Sequence, residues 1–305
     1  MSKRAQALSA VLGCIVALAA AAPAQGVPDC SPTPTVRVVA SGQGVLESIA
    51  SDRRGRLFYT DTDAARLLRI DRPGAQPQVI AEGIDGILGV MVDRDGTLVV
   101  GFGNSNTDAL ADNGNAGLMR VDPKTGETLE IITRGLDMSN GIARGPDGAY
   151  YASNDFGHGI DRFLNGQVTD NWSPVETPNG LVVDSTGRYL YAAQTFKPAS
   201  IAQIDLAQPQ NVTTYAAATG ADIFAGPDGL TRDGADRLYV AANGAGEVWR
   251  VDRDRSICAL ARGFPTVSSV SFGGGKLGFP SRNLYAVTFT GLVVELVNAT
   301  DQPAR

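Results

Sequence analysis

The chain has 305 residues, of which 43% are hydrophobic, 19% charged and 7% aromatic, and this composition is that of a globular protein with ample material for a core. The net charge is −6 and no basic stripe is present to neutralise phosphates, which argues against a nucleic-acid partner. The 36 glycines and 16 prolines indicate many turns and therefore many short strands.

The first residues have the pattern of a secretory leader. Lys3 and Arg4 precede an apolar run from about Ala5 to Ala22, and Ala22-Pro23-Ala24 is a small-x-small cleavage site. This pattern predicts a signal peptide over residues 1–24 and a single mature domain over residues 25–305. An uncleaved membrane anchor is the alternative, since the run is near the ~20 residues needed to span a bilayer. We expect a secreted or periplasmic monomer that is not attached to a membrane after cleavage.

Cleavage after Ala24 would leave two cysteines, Cys30 and Cys258. In an oxidising compartment such a pair is usually bridged, and neither cysteine has the spacing of a metal ligand. The sequence therefore predicts a Cys30–Cys258 disulfide that ties the N-terminus to a late segment of the chain.

An internal repeat organises the rest of the chain. Six copies of a strand, turn and strand pattern recur at intervals of roughly 40 to 50 residues. They begin at Glu47 (ESIASDRRGRLFYTD), Leu88, Asn140 (NGIARGPDGAYYASN), Asn179, Asp228 and Ser268. Each copy is followed by a third alternating strand and usually by a fourth, and four short strands per repeat are typical of a β-propeller blade. The sequence predicts an all-β, six-bladed β-propeller, with a solenoid or a β-sandwich as alternatives.

The sixth repeat lacks a fourth strand, and a lone strand pattern lies near the N-terminus at residues 35–42 (TVRVVASG). This segment is expected to complete the sixth blade and close the ring, because closure removes exposed strand edges. The predicted disulfide would then lock the closing region to the outer strand of blade five.

The residues that begin the repeats carry the candidate chemistry. First strands line the central channel of a propeller, so Glu47, Asn140, Asn179 and Asp228 are expected to gather at one end of it, with Leu88 and Ser268. Two carboxylates in one channel repel each other unless a cation lies between them. Carboxylate and amide oxygens suit Ca²⁺, or another hard divalent cation, and the absence of His and Cys there argues against zinc or copper.

Asn-Gly and Asp-Gly are also common turn dipeptides, which is the alternative interpretation of Asn140-Gly141 and its counterparts. Each of these pairs, however, precedes its strand. A separate turn signal such as Gly148 or Gly187 follows eight residues later. Because these pairs recur at equivalent positions of the repeats, the ligand interpretation is favoured.

These segments resemble the senescence-marker-protein/gluconolactonase/luciferin-regenerating-enzyme family. The resemblance rests on GVLESIA around Glu47, SNGIARGPDG around Asn140, TPNGLVVDSTGRYLYAA around Asn179 and GPDGLTRDGADRLYVA around Asp228. YYASNDFG and the last repeat are also similar to the paraoxonase/arylesterases. The resemblance spans roughly residues 36–298. It implies a six-bladed propeller whose catalytic Ca²⁺ is held by Glu47, Asn140, Asn179 and Asp228 and which hydrolyses lactones, esters or phosphotriesters.

The resemblance also implies that Asp228 is the general base. A carboxylate on a metal has a lowered pKa and is a weak base. Activation of water by the ion and direct attack by Asp228 as a nucleophile therefore remain open. The chain differs from the paraoxonases in having a single histidine, His158, so it lacks a pair of histidines and gives little support to a Ser-His-Asp triad.

Other roles remain open at the level of the sequence. The Asn- and Asp-rich insertion at residues 103–117 lacks the spacing of a calcium loop and is expected to cover the channel mouth. Two functions compete with a calcium-dependent lactonase or esterase acting on a small molecule. One is a non-catalytic propeller with structural calcium, and the other is a condensing enzyme like strictosidine synthase.

Overall fold

Six four-stranded antiparallel sheets build the fold, in a computed structural model that describes residues 26–275 and 277–303. They are arranged as the blades of a β-propeller, which confirms the predicted fold class; the solenoid and sandwich alternatives are wrong. The predicted signal peptide over residues 1–24, and its boundary with the mature domain, lie outside the described residues.

The first three blades follow the repeats in chain order. Blade one contains β2 (Leu46–Ser51), β3 (Leu57–Asp61), β4 (Arg66–Ile70) and β5 (Gln78–Glu82). Blade two contains β6 (Val90–Val92), β7 (Leu98–Phe102), β8 (Ala116–Val121) and β9 (Thr128–Leu136). Blade three contains β10 (Ile142–Arg144), β11 (Tyr150–Ser153), β12 (His158–Leu164) and β13 (Gln167–Glu176).

The last three blades repeat this order. Blade four contains β14 (Pro178–Val183), β15 (Tyr189–Gln194), β16 (Ser200–Asp205) and β17 (Gln208–Ala217). Blade five contains β18 (Pro227–Arg232), β19 (Leu238–Ala242), β20 (Glu247–Val251) and β21 (Ile257–Arg262). Blade six contains β22 (Val267–Phe272), β23 (Leu284–Thr288), β24 (Val293–Val297) and, from the other end of the chain, β1 (Thr35–Ala40).

The N-terminal strand closes the ring as predicted. β1 pairs antiparallel with β24, with Thr35 opposite Val297 and Val38 opposite Val294. The Cys30–Cys258 disulfide is present, and it joins the segment that precedes β1 to β21, the outer strand of blade five. It closes a loop of 228 residues and so anchors the closing strand to its neighbouring blade.

The hydrophobic core lies between blades. Ala50 and Phe58 of blade one, for example, pack with Val90, Leu98 and Met119 of blade two. Each blade therefore buries its apolar faces against both neighbours, and the ring forces the first strands together around a central axis.

The insertion in blade two contains a short helix that the sequence analysis did not predict. The helix, α1 (Asn106–Ala111), begins after Ser105, whose hydroxyl accepts a hydrogen bond from the Asp108 amide at 3.1 Å. Among the residues that the structure describes, no helix combines the length and apolar character required to cross a bilayer.

Candidate functional site

The first strands of the blades surround a cavity of about 220 Å³ on the central axis. Four predicted residues line it and are almost fully buried: Glu47, Asn140, Asn179 and Asp228. Ser268 also lines the cavity, but its hydroxyl donates to the carbonyls of Leu46 and Val287. Leu88, the sixth residue of the series, is not among the lining residues.

The glycines that follow Asn140 and Asp228 allow neighbouring first strands to approach each other closely. They are not turn residues. Gly141 does not have the positive φ of Gly148, whose φ of 89° makes it the turn residue of this hairpin. A Cβ on Gly141 would lie 2.1 Å from the Asn179 carbonyl oxygen of blade four, and a Cβ on Gly229 would lie 2.5 Å from the Ser269 hydroxyl of blade six. Only glycine allows the first strands to pack this closely, so the turn interpretation of Asn140-Gly141 is wrong.

Hydroxyl groups fix the strands that carry the site. Ser153, at the end of β11, donates to the Asn179 carbonyl at 2.6 Å and accepts from the Gly141 amide at 2.7 Å. Thr195 donates in the same way to the Pro227 carbonyl, next to Asp228, at 2.7 Å. These bonds connect consecutive blades and position Asn179 and Asp228 through their backbone.

A third carboxylate, Asp155, lies at the site and was missed as a site residue by the sequence analysis. Burial raises its pKa to about 6, and its charge raises the pKa values of both Glu47 and Asp228. The antiparallel pairing of β10 with β11 explains its place, because the end of β11 returns to the residues that begin β10, with the Asn140 amide donating to the Ser153 carbonyl. In the sequence, Asp155 lies in the motif YYASNDFG, shortly after the second strand of blade three.

The carboxyl groups of the site have no positively charged side chain beside them among the lining residues. Burial raises the pKa of Glu47 to about 8, the charge on Asp155 adds to this rise, and the Asn140 side chain opposes it. Burial and the charges on Glu47 and Asp155 raise the pKa of Asp228 well above its ordinary value. The lining residues include no Lys, Arg or His, and no described cationic side chain pairs with the three acids.

The donor set fits a hard cation. Asp155 Oδ1 and Asp228 Oδ1 are buried and have no hydrogen-bond partner among the described residues. Such oxygens are costly to bury unless something satisfies them. The neighbouring groups are amide and carboxylate oxygens, the ligands that hard divalent cations prefer.

Asn243 is a second residue that the sequence analysis missed. Its side-chain amide donates to Asp228 Oδ2 at 3.0 Å and leaves Oδ1 free. Asn243 follows β19, so it occupies in blade five the place that Asn154 and Asp155 occupy in blade three. A polar residue directly after the second strand of a blade is the sequence signal for both.

A separate acidic cluster lies on blade three and the end of blade two. Carboxylate oxygens of Asp137, Asp161 and Asp170 lie within 4.8 Å of one another, an arrangement that could hold a metal ion. Burial raises the pKa of Asp137 to about 7, with contributions from Asp170, Asp161 and Asp112. His158 begins β12, and its side chain lies outside the described part of the molecule.

Comparison with known proteins agrees with this architecture. Residues 160–288 match the family model described as SMP-30/Gluconolactonase/LRE-like region. No curated protein sequence matches the chain.

Solved structures share the fold over most of the chain. A gluconolactonase from Xanthomonas campestris has a TM-score of 0.70 at 18% identity, covering 90% of this chain and 99% of its own. The calcium-binding protein regucalcin from Agrobacterium tumefaciens has a TM-score of 0.68 at 18% identity, covering 89% and 97%. An aldose sugar dehydrogenase from Streptomyces coelicolor, in its PQQ-bound form, has a TM-score of 0.65 at 20% identity, covering 90% and 98%.

At these identities the structural likeness shows the fold alone, because one fold carries several chemistries. The match to the family model is more specific than the shared fold. The resemblance drawn from the repeats is therefore confirmed: this six-bladed propeller carries an SMP-30/gluconolactonase/LRE-like region between residues 160 and 288.

Proposed function

We propose that the protein is a secreted or periplasmic calcium-dependent hydrolase of lactones or esters. Glu47, Asn140, Asn179 and Asp228 would hold the ion, with Asp155 beside them. One observation carries the proposal: two buried carboxylates, Glu47 and Asp228, line one cavity, and a third, Asp155, lies close enough for its charge to act on both. None has a cationic partner among the described residues, and one oxygen each of Asp155 and Asp228 has no hydrogen-bond partner. The gluconolactonase-type family region supports the reaction class.

When bound, a hard divalent cation polarises an ester carbonyl and stabilises the negative charge that develops on its oxygen. The chain's own residues do the rest. Asn243 donates to Asp228 Oδ2 and leaves Oδ1 without a hydrogen-bond partner, so Oδ1 is the oxygen available to take a proton. In this role Asp228 Oδ1 takes the proton of the attacking water, and its burial opposes the loss of basicity that a nearby cation causes.

The test combines chelation with a charge-neutralising substitution. We expect wild-type protein to hydrolyse lactones or esters, to lose this activity in EDTA and to regain it when Ca²⁺ is added in excess. Asp228→Asn should lower kcat/KM by at least about a hundredfold. The matched control is Asp254→Asn, an exposed turn carboxylate on the same blade that bonds only to Ser256. Turnover that survives chelation would contradict the proposal.

Attack by Asp228 itself on the substrate carbonyl would release the alkoxide and leave a mixed anhydride between the Asp228 carboxylate and the acyl group, which water then hydrolyses. Single turnover in ¹⁸O-labelled water separates the two routes. If Asp228 is a base, the label enters the product directly. Label found in the Asp228 carboxylate would instead identify a nucleophile.

The disulfide supports the proposed location, because such bridges persist in oxidising compartments. Mass spectrometry of the mature protein should find an N-terminus directly after Ala24. A mature chain that still begins at Met1 would contradict this part of the proposal.

A further inference from the structure

Four apolar side chains lie on connections between strands at the end of the propeller where Asp155 and Asn243 follow the second strands of their blades. Leu110 is 65% exposed, Phe196 61% and Phe224 78%, and Phe156 is half-buried. None of them packs into the buried clusters between blades. We call these four residues the apolar rim.

Phe156 joins the apolar rim to the site. It directly follows Asp155, whose charge acts on Glu47 and Asp228. Its ring stacks on that of Phe196, with centroids 5.4 Å apart. The aromatic pair therefore begins at the buried carboxylates and extends outward.

The loop of Phe196 is bonded to the strands that carry two proposed ligands. The Phe196 amide donates to the Thr177 hydroxyl at 3.2 Å, two residues before Asn179. Thr195, in the same loop, donates to the Pro227 carbonyl next to Asp228. The loop of Phe196 is thus tied to the strands that carry Asn179 and Asp228, in part by the Thr195 bond that also positions Asp228.

The other two members lie on adjoining segments. The Ala199 amide donates to the Ile223 carbonyl at 2.7 Å, which joins the Phe196 loop to the residue before Phe224. Leu110 lies on α1, where the Ala109 carbonyl accepts from the Asn154 side chain at 2.9 Å. These bonds and the Phe156–Phe196 pair therefore connect the four segments that carry the apolar rim.

We propose that the apolar rim binds an alkyl or aryl substituent of the substrate, so that the preferred substrates are lipophilic lactones or esters and not polar sugar lactones. This inference rests on the proposed function. The reacting carbonyl would lie among the oxygen donors of the cavity while its apolar substituent covers the exposed rings. Such a substituent gains binding free energy from each methylene removed from water, whereas the hydroxyls of a sugar would lose hydrogen bonds to water there.

The test compares γ-lactones from γ-butyrolactone to γ-dodecalactone, with glucono-δ-lactone as the polar comparator. We expect kcat/KM to rise by about threefold per added methylene until the rim is covered. Phe196→Ala and Phe224→Ala should each lower kcat/KM for the longest substrate by about tenfold and leave γ-butyrolactone almost unchanged. The matched control is Leu277→Ala, because Leu277 is 90% exposed and lies in the turn between β22 and β23, away from the rim.

A binding experiment separates this inference from the proposed function. Lactams that carry the same alkyl chains resist hydrolysis, and their affinity can be measured by calorimetry. Affinity that grows with chain length and falls in the two phenylalanine variants supports the apolar rim even if no lactone is hydrolysed. Lactam affinity and lactone kcat/KM that are both independent of chain length, or rim variants equal to Leu277→Ala, would overturn the inference.

Discussion

Two sets of acids, one in turns at one end of the propeller and one at the cavity near the other end, are buried in opposite ways. At the turns that follow the first strands, Asp52, Asp93 and Asp233 are buried with partners in place. Asp233 accepts from the amides of Ala235 and Arg237 and from the Arg237 guanidinium at 2.7 Å.

Asp93 shows the electrostatic result of such partners. Burial raises its pKa, but hydrogen bonds from Tyr150 and Arg120 and the nearby Arg144 outweigh this and lower the net pKa. At the other end, Glu47 and Asp228 are buried to a similar degree and their pKa values are raised.

Burial alone therefore does not distinguish a structural acid from a functional one. The structural acids receive amide and guanidinium donors from their own turns and strands. The cavity acids lack cationic partners among the described residues, which is the condition of a group that awaits a ligand.

The largest effect is expected at the paired end. Asp233→Asn removes the charge that faces Arg237, a side chain only 21% exposed, and should lower the free energy of unfolding by about 3 kcal/mol. Urea denaturation measures this, and added Ca²⁺ should not restore the loss. A loss below about 1 kcal/mol would mean that the two ends do not differ in this way.

The next effect concerns the backbone that supports the cavity. Ser153→Ala leaves the Asn179 carbonyl and the Gly141 amide without their hydroxyl partner and should cost about 2 kcal/mol. It should also reduce the shift in the urea midpoint that Ca²⁺ produces. Ser256→Ala is the control, since that hydroxyl is exposed and makes one bond, to Asp254 in its own turn. Equal calcium shifts in both variants would contradict a positioning role for Ser153.

Substitution at the unpaired end should have the opposite sign. In EDTA, Asp228→Asn removes one of three mutually repelling anions and should raise the free energy of unfolding by about 1 kcal/mol. Ca²⁺ at about a hundred times its Kd should stabilise the wild type by about 2.7 kcal/mol and the variant by much less. Destabilisation of the variant in EDTA would show that Asp228 is a structural acid like Asp233.

The smallest effect is expected at the blade-three cluster and depends on pH. Burial raises the pKa of Asp137 to about 7, so the folded state binds a proton that the unfolded chain has released. The stability that depends on a protonated Asp137 carboxyl is present at low pH and is lost as the pH rises toward 7. Asp137→Asn should therefore raise Tm at pH 8 and change it little at pH 4. An equal change at both values would exclude Asp137 as the source.

Much of the fold could be predicted because its information is local and repeated. The strand and turn pattern recurs from Glu47 to Ser268, and the missing fourth strand of the last blade pointed to residues 35–42. The helix α1 was missed although Ser105 and Asp108 have the spacing of a capping pair. The helix lies in an insertion that lacks the regularly spaced apolar residues by which a helix is predicted.

The repeated pattern specifies the number of blades, the ring closure and the four residues that begin repeats at one end of the channel, because a regular repeat places equivalent residues at equivalent heights. It does not specify that Asp155 and Asn243 lie beside them, that Gly141 and Gly229 allow close packing, or which acids are partnered. These features depend on distances between blades, which arise only when the ring closes and brings remote side chains to a common axis.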